Sequence, residues 1–440
     1  MEQAPVNDRT TELQELYILS REELAASLLE RDPTSLANLF TQVGDEVLAE
    51  LFTKLDHSDA AQLIRKLSHV QAAQILEEME PDVAVDVVGE LEQQEAQGIL
   101  TAMHPFEAQN LRDLLSYPPD SAGGLMTSEF VALSPGVSAG QALSIVRQSA
   151  DQARRIPYYY VVEPQTRHLL GVLSLRELVL SPSSVPVQEL LVRDPIKVFA
   201  EADQEEAAQL LDSHNLRALP VVDEEDRLLG IITADDAAKV LIEEAHEDIE
   251  RLGGSEPLTE PYLRASIFHL FRRRIPWLLV LFIAAAYTST VLQHFEGVLQ
   301  QEIALTFFIP LLIGTAGNTG TQITTTLVRS MSMGEVSPGD ILRVVAKETR
   351  VGLMLGIVMC SATIIRAWAL GVESHISEVV GLTAFCVVVW AALVAAALPL
   401  IIRKLRLDPA VVSGPFITTL VDGTGLIIYF SIARLLLHPK

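Results

Sequence analysis

Asp422 is a lone carboxylate inside the last long apolar stretch of the chain, FITTLVDGTGLIIYFSIARLLL. An aspartate at the centre of a membrane helix costs about 2.5–3.5 kcal/mol on insertion scales, so one kept there marks an ion path, a proton relay or a counter-ion site. Thr418 stands one helical turn earlier on the same face, and Gly423 and Gly425 allow backbone to come close. Carboxylate, hydroxyl and carbonyl oxygens suit a hard cation, and no His or Cys lies nearby to favour a soft one. Magnesium fits best, because it keeps several waters and needs only one or two carboxylates, whereas calcium takes roughly six to eight oxygens. Donor chemistry alone leaves manganese and cobalt open.

These residues need spans to hold them. Five apolar segments are long enough for a hydrocarbon core of about 30 Å: residues 275–295, 302–329, 344–370, 377–402 and 411–437. The second contains PLLIGTAGNTGTQITTT, where Gly314, Gly317, Asn318, Gly320 and Gln322 serve close packing or hydrogen bonds between helices. Arg272, Arg273 and Arg274 flank the first span; Arg329, Arg343, Lys347 and Arg350 surround the loop after the second; Arg403, Lys404 and Arg406 follow the fourth. The loops QHFEGVLQQE and GVESHISE carry no Lys or Arg. The positive-inside rule then leaves the N-terminus cytoplasmic and the C-terminus outside, with Arg434 and Lys440 in minor dissent. The opening MEQAPVNDRTTELQELY has no basic and apolar leader pattern. An odd number of spans with one intramembrane carboxylate suggests a symmetric pair of chains around a central axis.

Charge is divided along the chain. Residues 1–270 hold 48 acidic and 19 basic side chains, a balance of −29, against 9 and 13, a balance of +4, in residues 271–440. That argues against nucleic acid, which needs clustered Lys and Arg, and for a soluble part that gathers cations. Cys360 and Cys386 both lie in apolar stretches, so neither a disulfide framework nor a thiolate metal site is expected. No nucleophile–base set and no phosphate-cradling Gly loop points to an enzyme.

The soluble part opens with an internal repeat. Ala60, Ala72, Ala84, Ala96 and Ala108 recur every 12 residues, as do Leu63, Ile75, Val87, Ile99 and Leu111, and Leu67, Met79, Leu91, Met103 and Leu115. Such a stripe predicts short helices, restarted at Pro81 and Pro105, that stack into a superhelical array. Next, YYYVVEPQTRHLLGVLSLRELV and LRALPVVDEEDRLLGIITADDAAKV share a strand, an acidic turn, a strand opened by Gly171 or Gly230, and a helix. This duplicated pattern resembles a tandem pair of CBS domains, which implies regulation and, as such pairs commonly sense adenine nucleotides, a site for ATP. A charged helix follows, with Glu243, Glu247 and Glu250 in one row and Glu244 and Asp248 in another, up to a break at Gly253 and Gly254. Like charges one turn apart destabilise a helix, so this face wants a counter-cation; a solvated acidic face is the plainer explanation of such a run.

Taken in order, with PLLIGTAGNTGTQ, DPAVVSGP and LVDGTGLIIYFSIARLLL, the chain closely resembles the MgtE family of magnesium channels over essentially its whole length. The resemblance implies a multidomain membrane protein: an all-α superhelical N-terminal domain (1–123), tandem α/β CBS domains (124–242), a connecting plug helix (243–271) and a five-helix transmembrane pore domain (272–440). It implies a homodimer in which paired Asp422 carboxylates hold hydrated magnesium, and a plug that closes when magnesium bridges acidic residues. Carried over by motif, the bridging positions are Asp203, Glu205, Asp236, Glu244, Glu247 and Asp248, with Asp408 at the cytoplasmic mouth of the last span. Gly414 stands where the family commonly has Asn, and Asn215 and Lys239 where sensor positions are often acidic. The competing expectations are a membrane-anchored magnesium or nucleotide sensor that transports little, and the same channel carrying cobalt or manganese.

Overall fold

A computed structural model describes residues 16, 19–32, 35–36, 39, 43, 45–149, 158–258, 262–405 and 407–437. Most of the N-terminal stretch read for a leader, together with Arg406 and Lys440, lies outside the described residues. The chain forms two compact units, residues 1–241 and 242–440.

In the first unit α1 (Arg21–Leu29) and α2 (Asp45–Thr53) lead into α3 (His57–Ile64), α4 (His69–Glu78), α5 (Pro81–Gly89), α6 (Gln93–Ala102) and α7 (Pro105–Leu114). The last five begin every 12 residues, in step with the sequence repeat. Ser68 with Gln71 and Glu92 with Glu95 form reciprocal caps at the starts of α4 and α6, while Pro81 and Pro105 open α5 and α7. Each device settles or removes orphan N–H groups of a first turn. The stripe Leu63, Ile75, Val87, Ile99 and Leu111 is buried throughout. Each helix packs on the one two along, α2 on α4, α3 on α5, α4 on α6 and α5 on α7, so no helix has its own core.

After α8 (Ala122–Leu125) come β1 (Ala132–Leu133), α9 (Ala139–Gln148), β2 (Tyr158–Val162), β3 (Leu169–Ser174), α10 (Leu175–Leu180), α11 (Val187–Leu190), β4 (Val192–Arg193), β5 (Val198–Phe199), α12 (Gln204–Ser213), β6 (Ala218–Val222), β7 (Leu228–Thr233) and α13 (Ala234–Leu252). Two sheets form, β1-β2-β3-β4 and β5-β6-β7. In each the first pair is parallel and the next antiparallel, with an irregularity at Val161/Val162 and again at Val221/Val222. That identity of register is the duplication seen in the sequence. Gly171 and Gly230 sit within their strands instead of opening them, because neighbouring backbone presses against them. A Cβ on Gly171 would meet the Val192 carbonyl oxygen at 2.4 Å, and one on Gly230 the Thr127 carbonyl oxygen at 2.7 Å.

The second unit takes in the last turns of α13 and then α14 (Ile267–His294), α15 (Glu296–Gln301), α16 (Ile309–Ser332), α17 (Ile341–Ala369), α18 (Ser374–Lys404) and α19 (Gly414–Leu437). Among the described residues five helices, α14 and α16 to α19, are long and apolar enough to cross a membrane. Gly254, with φ of 76°, makes the expected break after α13. Arg272, Arg273 and Arg274 lie inside α14, not ahead of it. Ser266 caps that helix through the His269 N–H, and hydropathy had marked only where lipid begins. The last span starts at Gly414, after a 3-10 turn over Pro409–Val411. α18 is the hub, packed on α16, α17 and α19. Small residues permit this: a Cβ on Gly352 would sit 2.7 Å from that of Ala392, and one on Gly381 would meet Ile364 at 2.5 Å.

Gly171→Ala is expected to cost about 1–3 kcal/mol, because the added methyl meets the Val192 backbone carbonyl, which cannot swing aside, as well as the Leu191 side chain. Hydrogen exchange checks it: amides of β2 to β4 should lose protection while those of β6 and β7 keep theirs.

Candidate functional site

Asp422 lies in the third turn of α19. Its Oδ1 is closed off from solvent and has no hydrogen-bond partner. A buried carboxylate oxygen left so costs several kcal/mol as an anion, and the group asks for a proton or a cation.

The wall beneath it is built by close packing of α16 on α19. A Cβ on Gly317 would meet Thr418 Cγ2 at 2.8 Å, and one on Gly320 would meet Ile417 Cγ2 at 2.5 Å. These glycines therefore act as packing positions, and they bring Thr321 Oγ1 to 3.3 Å from Thr418 Oγ1 and 3.5 Å from the Gly414 carbonyl oxygen. A Cβ on Gly414 would meet Thr321 Cγ2 at 3.0 Å, so in this chain Thr321 occupies the room that a side chain at 414 would need. On the other side Gly423 admits the ring of Tyr287 from α14, 2.7 Å from a would-be Cβ. Trp390 Nε1 of α18 donates to Thr424 Oγ1 at 2.9 Å, and Tyr429 donates to the Leu305 carbonyl at 2.9 Å. The helix bearing Asp422 is thus held from three neighbours.

At the start of α19, Asp408 caps the 3-10 turn through the Ala410 N–H at 2.8 Å. Its other oxygen accepts from Arg251 at 2.6 Å, and the same guanidinium donates to Glu247 at 2.6 Å. Asp248 accepts from the Ser332 hydroxyl at the end of α16. Burial, and the charge of Asp408 after it, push the Asp248 carboxyl above its ordinary value, against the Ser332 bond. Glu244 adds its negative field to Arg251. The structure therefore gathers Glu244, Glu247, Asp248 and Asp408, with Arg251 among them.

In the first unit Asp203 caps α12, accepting from the Glu205 N–H at 2.8 Å, and Glu205 accepts from Gln209 at 2.9 Å. Asp236 accepts from Thr233 and from Lys239, the latter at 2.7 Å. Burial lowers the Lys239 ammonium, but Asp236 more than offsets it and holds it above its usual value. Facing Asp236 is Asp82, 8% exposed, with Oδ1 lacking a hydrogen-bond partner. Among the described residues no three His, Cys, Asp or Glu side chains converge as a ready metal site.

Sequence reasoning missed Asp82, Arg251 and Thr321. Asp82 looks like an ordinary first-turn acid after Pro81, Arg251 like a helix-end cation and Thr321 like packing; only tertiary contact distinguishes them.

Burial first, then Asp236, Glu80 and Asp86, raise Asp82 to about 7, with Lys239 as the opposing charge nearby. The folded protein binds this proton more tightly than an unfolded chain, whose Asp titrates near 3.8. Stability from this group is full below about pH 4, falls as pH rises and is lost above about 7. Asp82→Asn should flatten that slope and stabilise the first unit above pH 7 by roughly 1–4 kcal/mol. Denaturant unfolding of the full chain in metal-free detergent buffer, from pH 4 to 8, checks this.

The MgtE family, a divalent cation transporter, matches residues 309–432; the MgtE intracellular N domain matches 19–120 and CBS domains match 122–183 and 187–243. The magnesium transporter MgtE of Thermus thermophilus is 41% identical over 342 residues, 75% of this chain and 76% of that protein. That of Enterococcus faecalis is 35% identical over 333 residues, 74% and 72% of the two. Among solved structures, the cytosolic domain of the Mg2+ channel MgtE in complex with ATP is 32% identical, covering 52% of this chain and 98% of that one, with a TM-score of 0.40. With the helical repeats, the paired CBS halves and five apolar spans all accounted for, the chain belongs to the MgtE family of magnesium transporters.

Proposed function

We propose that the chain is a magnesium-selective channel of the cell membrane, N-terminus in the cytoplasm and C-terminus outside, formed by two copies whose Asp422 side chains face one pore. The observation that carries this reading is the Asp422 carboxylate oxygen, closed off in the last span without a hydrogen-bond partner. Two such groups across an axis would hold a hydrated divalent cation through its waters, with Thr418 offering a hydroxyl one turn below. Binding through an intact water shell favours magnesium, which gives up its waters reluctantly, and manganese and cobalt are the competing ions that the flux measurement compares with it. Inward movement down a membrane potential releases roughly 5 kcal/mol per divalent ion per 100 mV.

Control is assigned to the acidic part. Work divides among residues 1–123 and 124–242 as sensor, 243–271 as plug and 272–440 as pore. Magnesium on Asp203, Glu205, Asp236, Glu244, Glu247, Asp248 and Asp408 neutralises like charges and so favours the closed, compact arrangement. When magnesium is scarce, repulsion opens the path. Lys239, already paired with Asp236, supplies part of that neutralisation from the chain itself and reduces the number of ions required. ATP at the CBS pair is a further regulatory ligand under this reading.

Magnesium flux into proteoliposomes tests it, with the soluble face at low and then millimolar magnesium. The intact chain should conduct at low magnesium and close at high. Asp422→Ala should fall at least about tenfold, towards the protein-free leak. No flux from the intact chain under either condition would leave the sensor reading in its place.

A further inference from the structure

We infer that Arg251 is a built-in cation that latches the end of α13 to the mouth of the last span, so that less magnesium is needed to close the path. The inference rests on the proposed plug role of this helix and goes beyond it by naming the chain's own charge that assists magnesium in closing it.

The geometry is that of a clamp. One guanidinium donates Nη2 to Glu247, one turn back on its own helix, and Nη1 to Asp408, which is 157 residues away in sequence. Asp408 in turn caps the short turn that feeds α19, so a pull on its carboxylate is a pull on the helix that carries Asp422. Two further contacts bring the same end of α13 to the same place. Ser332 binds Asp248, and the Leu252 carbonyl lies 3.8 Å from where a Cβ on Gly414 would stand. Just beyond, Gly254 turns the chain with φ of 76°, tight against Trp277, whose Nε1 donates to Ser413 at 3.2 Å.

The charge pattern explains why a cation is needed. Glu244, Glu247, Asp248 and Asp408 converge on this end of the helix, and without a positive charge they would repel one another. A guanidinium is always charged and presents a planar fork that meets two carboxylates at once. A magnesium ion arriving here adds to a charge already in place, so the latch sets the concentration at which the gate closes.

Two measurements on the full chain in proteoliposomes test it, with Arg251→Gln and Arg251→Lys as the variants. The first is the magnesium concentration on the soluble face that halves flux. Half-buried ion pairs of this kind are worth a small factor, so Arg251→Gln should raise that concentration by about fivefold, and Arg251→Lys, which keeps the charge but not the fork, by less. An unchanged or lowered midpoint in Arg251→Gln overturns the latch. The second needs no transport: cysteines at Asp248→Cys and Ser332→Cys, positions whose side chains meet, in a background with Cys360 and Cys386 changed to Ala, are oxidised in EDTA. Cross-linking should proceed with Arg251 present, fall severalfold in Arg251→Gln and return with millimolar magnesium. No cross-link in EDTA with Arg251 present, or equal cross-linking in Arg251→Gln, overturns the proposal. Absence of flux alongside Arg251-dependent cross-linking would overturn the channel reading and keep the latch.

Discussion

A carboxylate held in a membrane span with no hydrogen bond to one of its oxygens is the constraint on which the rest of this molecule depends. Such a group is tolerated only where its surroundings are fixed, because any looseness would let it find a partner or turn away. The packing around α19 supplies that fixity. Glycines of α16 press against Ile417 and Thr418, Tyr287 closes over Gly423, and Trp390 and Tyr429 bind from further hydrogen bonds. α18, lined by Ala384, Ala391, Ala392, Ala395 and Ala396, lets three neighbours approach at once. Small residues are therefore the means by which one expensive residue is kept in place.

The acidic part obeys a different balance. Its carboxylates are close enough to repel, yet two of them, Asp236 and Asp408, are already met by Lys239 and Arg251. A tethered cation and a diffusing one are not equivalent. The first is present at every ionic condition and costs side-chain entropy; the second appears only above its binding concentration and brings two charges. Under the proposed gating, a chain that mixes the two shifts its set point by substitution alone, without a new binding site. Asp82 shows the cost of leaving a carboxylate unmet: with burial and Asp236 against it, it holds its proton far above the ordinary range.

Much of this was legible in the residues before any coordinates. The spans follow from unbroken apolar length, the helical array from three registers in phase, and the break at Gly253 and Gly254 from paired glycines, which readily take the left-handed backbone that ends a helix. What local pattern cannot carry is partnership across long separations. Arg251 and Asp408 are each unremarkable within their own segments, and Thr321 reads as one more small polar residue until Gly414 stands opposite. Arg272 to Arg274 were legible as charge yet not as helix, since the backbone continues through the boundary that hydropathy marks. Gly171 and Gly230 illustrate the reverse: their type is informative, but the carbonyl that demands it comes from elsewhere in the chain, Val192 of β4 for the first and Thr127, outside the strands, for the second.

The helical array contains a second period beneath the first. Its starts alternate between reciprocal side-chain caps at α4 and α6 and prolines at α5 and α7, and each helix packs on the one two along. From α4 to α7, capped helices thus stack in one row and proline-led helices in the other. Loss of one twelve-residue unit would transfer every later helix to the opposite row, whereas loss or gain of a pair would leave each row in register. The array is therefore built to change length in steps of two helices, the 24 residues that separate Pro81 from Pro105, and relatives that differ in length here should do so by that increment.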